Sequence, residues 1–186
     1  MEKEYRKIQE LRANDNSRHV EGYAIIFNSL SEDLGFYETI EKTAIDDDVI
    51  KKSDCFCLLD HNSEKVLARS KYGVGNLKLE IDDKGLKYSF EALDNELGNT
   101  LLSYIRSGII DSSSFCFTVA KDHWETKDGE DYRTVEKIDM LFDVSPVYTP
   151  AYAATSVSCR SYDKYKEEKS KQSDIQNLCD KILAME

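Results

Sequence analysis

The chain has 186 residues, enough for one domain with a sizeable apolar core plus an appendage, and its 40% hydrophobic and 33% charged content is that of a globular protein. A total of 25 Lys and Arg against 36 Asp and Glu gives a net charge of −11, which argues against a backbone-phosphate binder and against an anionic membrane surface. No apolar run reaches the ~18 residues of a bilayer span, and MEKEYRKIQE has no signal-peptide core, so a cytosolic protein is expected; five cysteines, an odd number at irregular spacings, fit small buried apolar residues there.

In chain order, HVEGYAIIFN and FYETIEK read as strands, and Thr43 to Lys52 as a short helix capped by Thr43. DCFCLLDH reads as a strand in which Cys55, Cys57, Leu59 and His61 share one face. GNLKLEID and GLKYSFEA alternate apolar and polar residues around Asp82 to Gly85, a hairpin in which Gly85 is expected at positive φ. Leu97, Leu101, Leu102 and Ile105 form the stripe of a helix from Asp94 to Ser107, with Asp94 able to cap its start and Gly108 placed to end it. SSSFCFTVA and YRTVEKIDMLFDV follow as strands around a turn at Asp128 and Gly129. This order disfavours consecutive parallel βαβ units and fits a mainly β, α+β fold: a mostly antiparallel sheet or barrel with a few helices. Composition shifts after Arg160, so residues 1–160 are read as one domain and 161–186 as a charged, amphipathic tail. Ile175, Leu178, Cys179 and Ile182 mark one face of that tail, which either docks on its own domain or packs on a partner chain.

Three histidines narrow the search for a general base. His19 lies in a polar stretch read as a solvated turn, and His123 beside Trp124 reads as a surface or stacking residue. His61 ends an apolar strand, where core meets solvent; periodicity alone reads it as a satisfied, half-buried histidine. Ser114 lies with Cys116 and Thr118 on the face opposite Phe115, Phe117 and Val119; a triple serine at a strand start is common, and no G-x-S-x-G elbow accompanies it. Asp143 closes KIDMLFDV and points away from the apolar face of Ile138, Met140 and Phe142, as an ordinary strand-end aspartate also would. Metal and nucleotide motifs are missing, and Asp46, Asp47 and Asp48 read as a solvated helix start.

Together these segments resemble the prohead protease family of tailed phages. The features are EGYAIIFN, His61-Asn62 after an apolar strand, Leu67-Ala68-Arg69, Gly85-Leu86, the stretch from Gly108 to Phe117, and LFDVSPVYTPAYAAT from Leu141 to Thr155. Cys116 stands where the family usually has glycine, and Asp143 where it usually has glutamate. The resemblance implies a fold similar to herpesvirus assemblin, a compact β-barrel ringed by helices. It implies a serine endoprotease with Ser114 as nucleophile, His61 as base and Asp143 as orienting acid, with no metal or organic cofactor. Arg160 is an added candidate near the oxyanion, and Asp60 and Asp111 are the next acids should Asp143 lie too far from His61. Expected substrates are scaffold, or the scaffolding segment of the major capsid protein, and the protease itself; the place of action is the immature capsid in the host cytoplasm. Self-association through the tail is the expected partner interaction, with neither nucleic acid nor membrane involved. Two alternatives remain: a catalytically inactive, scaffold-type assembly protein of the same fold, and a cysteine protease using Cys116.

Overall fold

The computed structural model describes residues 3–8, 11–13, 17–148, 162–173 and 175. The chain divides into two compact units, Met1–Ala153 and Ala154–Glu186.

The first unit is strand-rich. Its strands are β1 (Glu4–Ile8), β2 (Leu11–Ala13), β3 (His19–Ile26), β4 (Tyr37–Ile40), β5 (Asp54–Leu58), β6 (Val66–Lys71), β7 (Val74–Gly75), β8 (Lys78–Ile81), β9 (Gly85–Glu91), β10 (Ser112–Lys127) and β11 (Glu130–Val147). Its helices are α1 (Asp47–Lys52) and α2 (Glu96–Arg106), with 3-10 turns at Lys42–Ala44 and Leu59–His61. The α+β class therefore holds, while closure into the expected barrel is not seen among the described residues. Hydrogen bonding among the described residues gives two open sheets, ordered β1-β10-β11-β5-β6-β7 with β4 also on β11, and β2-β3-β9-β8. Most pairings are antiparallel; β4 and β5 join β11 in parallel, one beside each half of that long strand.

The core explains why so many strands alternate. Val20, Ile25, Leu86, Tyr88 and Phe90 of the smaller sheet pack in one buried cluster with Cys55, Cys57, Phe115, Phe117 and Leu141 of the larger. The Tyr88 hydroxyl and Ser113 Oγ, 2.7 Å apart, join the two sheets through a buried hydrogen bond, which satisfies two polar groups that would otherwise be costly to bury. Cys55, Cys57 and Cys116 are free and buried, as expected; Cys159 and Cys179 lie outside the described residues.

Several element ends differ from the sequence reading, each for a local chemical reason. The cap of α1 is Asp46, whose carboxylate accepts from the Val49 amide, while Thr43 sits in the preceding 3-10 turn. Asn95, not Asp94, caps α2 by accepting from the Gly98 amide. Gly108 follows that helix at φ +73, in the left-handed region where glycine has no Cβ penalty. Gly85 is needed for a different reason from the one expected: a Cβ there would lie 1.8 Å from the Ile25 carbonyl oxygen, so glycine permits close approach of β9 to β3. The hairpin turn is instead organised by Asp82, whose carboxylate accepts from the Lys84 and Gly85 amides. His19 opens β3 rather than lying in a turn, with its Nδ1 2.8 Å from Glu91.

In the second unit, residues 162–173 are helical. The Lys166 ammonium lies 4.0 Å from the centre of the Tyr162 ring, and Ile175 is exposed. Leu178, Cys179 and Ile182, the rest of the expected apolar face, lie outside the described residues.

Candidate active site

Strands β10 and β11 build the floor of the site. In their antiparallel register Ser114 stands opposite Ser145, and Cys116 opposite Asp143. Directly opposed residues project to one face, and residues two apart share it. Ser114, Cys116, Asp143 and Ser145 therefore form a small polar square on the face away from Phe115. All of Ser112 to Thr118 is buried, because one face of the strand meets the apolar core and the other meets this square.

His61 reaches the square by a route the sequence did not show. The strand DCFCLLDH ends at Leu58, and Leu59–His61 forms a 3-10 turn in which Asp60 and His61 have φ of 54° and 55°. Two successive non-glycine residues in the left-handed region are uncommon, although Asp and His are among those that enter it most readily. The turn is held by hydrogen bonds from the Leu59 amide to the Lys65 carbonyl (3.0 Å) and from the Asn62 amide to the Leu59 carbonyl (3.1 Å). Because β5 lies beside β11, with Phe56 paired to Asp143, reversing the chain just after β5 carries the imidazole back over β11.

The result joins three sequence-derived candidates. His61 Nε2 is 2.7 Å from Ser114 Oγ, and His61 Nδ1 is 2.7 Å from Asp143 Oδ1. Asp143, rather than Asp60 or Asp111, holds the position next to the imidazole; the Asp111 carboxylate instead accepts from Ser112 Oγ at 2.5 Å. Asp143 does not close its strand, which runs on to Val147. Arg160 lies outside the described residues. His123 is exposed on β10, remote in register from Ser114.

Two further residues touch this constellation and were missed in the sequence. Ser145 Oγ donates to Asp143 Oδ1 at 2.7 Å and accepts from the Leu58 amide at 3.2 Å. Its only sequence signal was its place in the VSPV stretch. Tyr5 of β1 sets its ring edge-on to the imidazole, with centroids 4.8 Å apart and planes at 80°. Strand β1 reaches the site by pairing with β10, Tyr5 against Cys116 and Lys7 against Ser114.

Electrostatics separate the two potential nucleophiles. Burial, opposed in part by the Tyr5 hydrogen bond and aided by the Asp143 charge, pushes the Cys116 thiol up to about 12. A thiol so placed stays protonated at neutral pH, the opposite of an activated cysteine. Burial likewise raises Cys55 and Cys57 well above the ordinary thiol range. Among the described residues no cluster of His, Cys, Asp and Glu could hold a metal ion, and no helix is long and apolar enough to cross a membrane.

Comparison with known proteins agrees with the resemblance read from the sequence. The family model described as caudovirus prohead serine protease matches residues 6–168. Among solved structures, the capsid assembly protease gp21 of bacteriophage T4 is similar at 12% identity, covering 78% of this chain and 99% of that one with a TM-score of 0.49. No curated protein sequence matches. With a family model extending over most of its length, the chain belongs to the caudovirus prohead serine proteases.

Proposed function

We propose that this protein is an active serine endopeptidase that uses Ser114, His61 and Asp143 to cleave capsid precursors during phage head maturation. The observation that carries this reading is the continuous hydrogen-bonded line from Ser114 Oγ through both imidazole nitrogens to Asp143. A scaffold-type protein without turnover has no use for that line, and the neutral Cys116 thiol gives no support to a cysteine protease.

The chemistry follows from the positions. His61 Nε2 takes the Oγ proton as Ser114 Oγ bonds to the scissile carbonyl carbon, and the carbonyl π pair moves onto oxygen. Collapse of that intermediate breaks the C–N bond, and Nε2 returns the proton to the leaving amine. Water then repeats the sequence on the acyl-enzyme, with His61 again as base. Asp143 accepts from Nδ1–H throughout, fixing the tautomer and stabilising the imidazolium. Ser114 is 0% exposed, so the reading carries a requirement: part of its surroundings moves aside before a peptide reaches Oγ. A cavity of about 440 Å³ borders the His61-bearing turn, lined by Leu59, Lys65, Leu97, Tyr104 and Tyr148 among others; it offers a substrate the concave surface that binding demands.

The proposed substrates are scaffold or the scaffolding segment of the major capsid protein, and the protease itself, within the immature capsid. The test is co-expression of the full chain with the capsid precursor of the same phage, followed by mass measurement of both. Processing by the wild type and none by a folded Ser114→Ala variant is expected. Equal processing by both removes Ser114 from the mechanism.

A further inference from the structure

We propose that Ser145 is a positioning residue of this site: it holds the Asp143 carboxylate in the rotation that faces His61 and ties the acid to the segment carrying the base. This deepens the assignment of Ser114, His61 and Asp143 made above and rests on it.

The direction of the hydrogen bonds is set by the hydroxyl itself. A serine Oγ has one proton to give and two lone pairs to receive. Leu58 N–H donates into Ser145 Oγ at 3.2 Å, and the Ser145 proton goes to Asp143 Oδ1 at 2.7 Å. That same oxygen stands 2.7 Å from His61 Nδ1. Two donors thus converge on one carboxylate oxygen. An aspartate's terminal torsion is broad and two-fold, so a carboxylate held by one donor rotates comparatively freely; a second donor from a strand fixes which oxygen meets the imidazole.

The topology supports the assignment. Ser145 is 0% exposed, and it sits two residues from Asp143 and directly opposite Ser114 in the β10–β11 register. The line of hydrogen bonds therefore begins at one serine, crosses the imidazole and the carboxylate, and ends at its cross-strand partner. Leu58 is the last residue of β5, three before His61. Through it, the hydroxyl fixes the start of the turn that delivers the base. In a low-dielectric site such linked hydrogen bonds polarise one another, and losing one end weakens the rest.

The test uses the full chain and an alkyl fluorophosphonate, which reports activation of the nucleophile without knowledge of the cleavage sequence. Capture rate at Ser114, the low-field Nδ1 proton resonance of His61 and the melting temperature are measured for wild type, Ser145→Ala, Ser145→Cys and Ser145→Thr. Ser145→Ala is expected to be captured about 10- to 100-fold more slowly, the effect of losing one hydrogen bond to a charged group, with the Nδ1 resonance displaced. Ser145→Thr, which keeps the hydroxyl, is expected to recover most of that loss. Should Ser145→Ala not fold, the isosteric Ser145→Cys, a much weaker donor, is expected to show the slower capture. A folded Ala or Cys variant captured at the wild-type rate overturns the role, as does a Thr variant no faster than Ala. A wild-type chain that takes no label at Ser114 overturns the underlying assignment and this one with it, whereas labelled wild type beside an unchanged Ser145→Ala overturns this one alone.

Discussion

In the proposed mechanism, Asp143 is the residue whose role depends most closely on its exact chemical identity. An orienting acid must accept from Nδ1–H, and an amide in its place can present its NH2 and favour the other tautomer. In a well-studied serine protease that change lowers kcat by about 10⁴ with geometry intact. Asp143→Asn is therefore expected to lose about that much activity while melting close to wild type, as read by capsid-precursor cleavage and calorimetry. A near-wild-type rate would mean that the contact at 2.7 Å to His61 is structural only. At this scale the sequence was partly informative. The three histidines could be sorted by surroundings, and Ser114 and Asp143 by strand face, but only the family-like order of motifs raised them above ordinary strand-end residues. Ser145 stayed hidden because a serine's partners depend on strand register, and Tyr5 because its contact with His61 comes from a strand more than fifty residues away in sequence.

Strand β1 shows what periodicity cannot report about elements. It is pinned to the larger sheet by a buried cluster of charges. Arg6 pairs with Glu38 and Glu4, and Arg133 with Glu4, Glu38 and Asp122, at 2.5 to 3.0 Å. Arg133, Glu38 and Glu4 are each under 5% exposed in their side chains. Burial acts to lower the arginine pKa values, yet the surrounding carboxylates outweigh it and raise them. Such a cluster is stable only when complete, because removing one partner leaves uncompensated buried charge. Arg133→Met strands Glu4 and Glu38 with Arg6 as their remaining cation and is expected to destabilise by about 3–5 kcal/mol, measured by urea denaturation. A loss below about 1 kcal/mol would mean that the carboxylates find water or protons easily. Alternation marked FYETIEK and YRTVEKIDMLFDV as strands but missed β1, because EYRKI carries Glu4 and Arg6 where an apolar face would be expected, and nothing in the sequence distinguishes a buried charged face from an exposed one. The same limit explains the barrel. Strand identity follows from local pattern, whereas closure depends on which edges pair, a matter of long-range register.

Across the first unit, the distribution of buried acids shapes its response to pH. Burial raises the thiols of Cys55, Cys57 and Cys116 and the hydroxyls of Tyr5 and Tyr88. The Cys116 thiol stands at about 12 against an ordinary value of 9.0. In the unfolded chain such thiols lose their protons near pH 9, while the folded chain keeps them, so above that pH the native state binds more protons than the unfolded one. Stability then falls as pH rises. It is fully present below pH ~9 and declines toward pH ~12. The urea midpoint is expected to drop between pH 8 and pH 10, and less so in a Cys116→Ala variant. A midpoint that holds constant would show that these groups ionise in the folded state as readily as in the unfolded one.

Everything proposed for this site depends on Ser114 being a nucleophile made reactive by His61. The most direct test is to treat the full chain with a fluorophosphonate and map the modified residue by mass spectrometry, beside a His61→Ala variant of equal melting temperature. One adduct, on Ser114, is expected in the wild type, and its loss by several orders of magnitude in the variant, since nucleophile and base act as a unit. An adduct on another residue, or equal labelling of both proteins at Ser114, would contradict it.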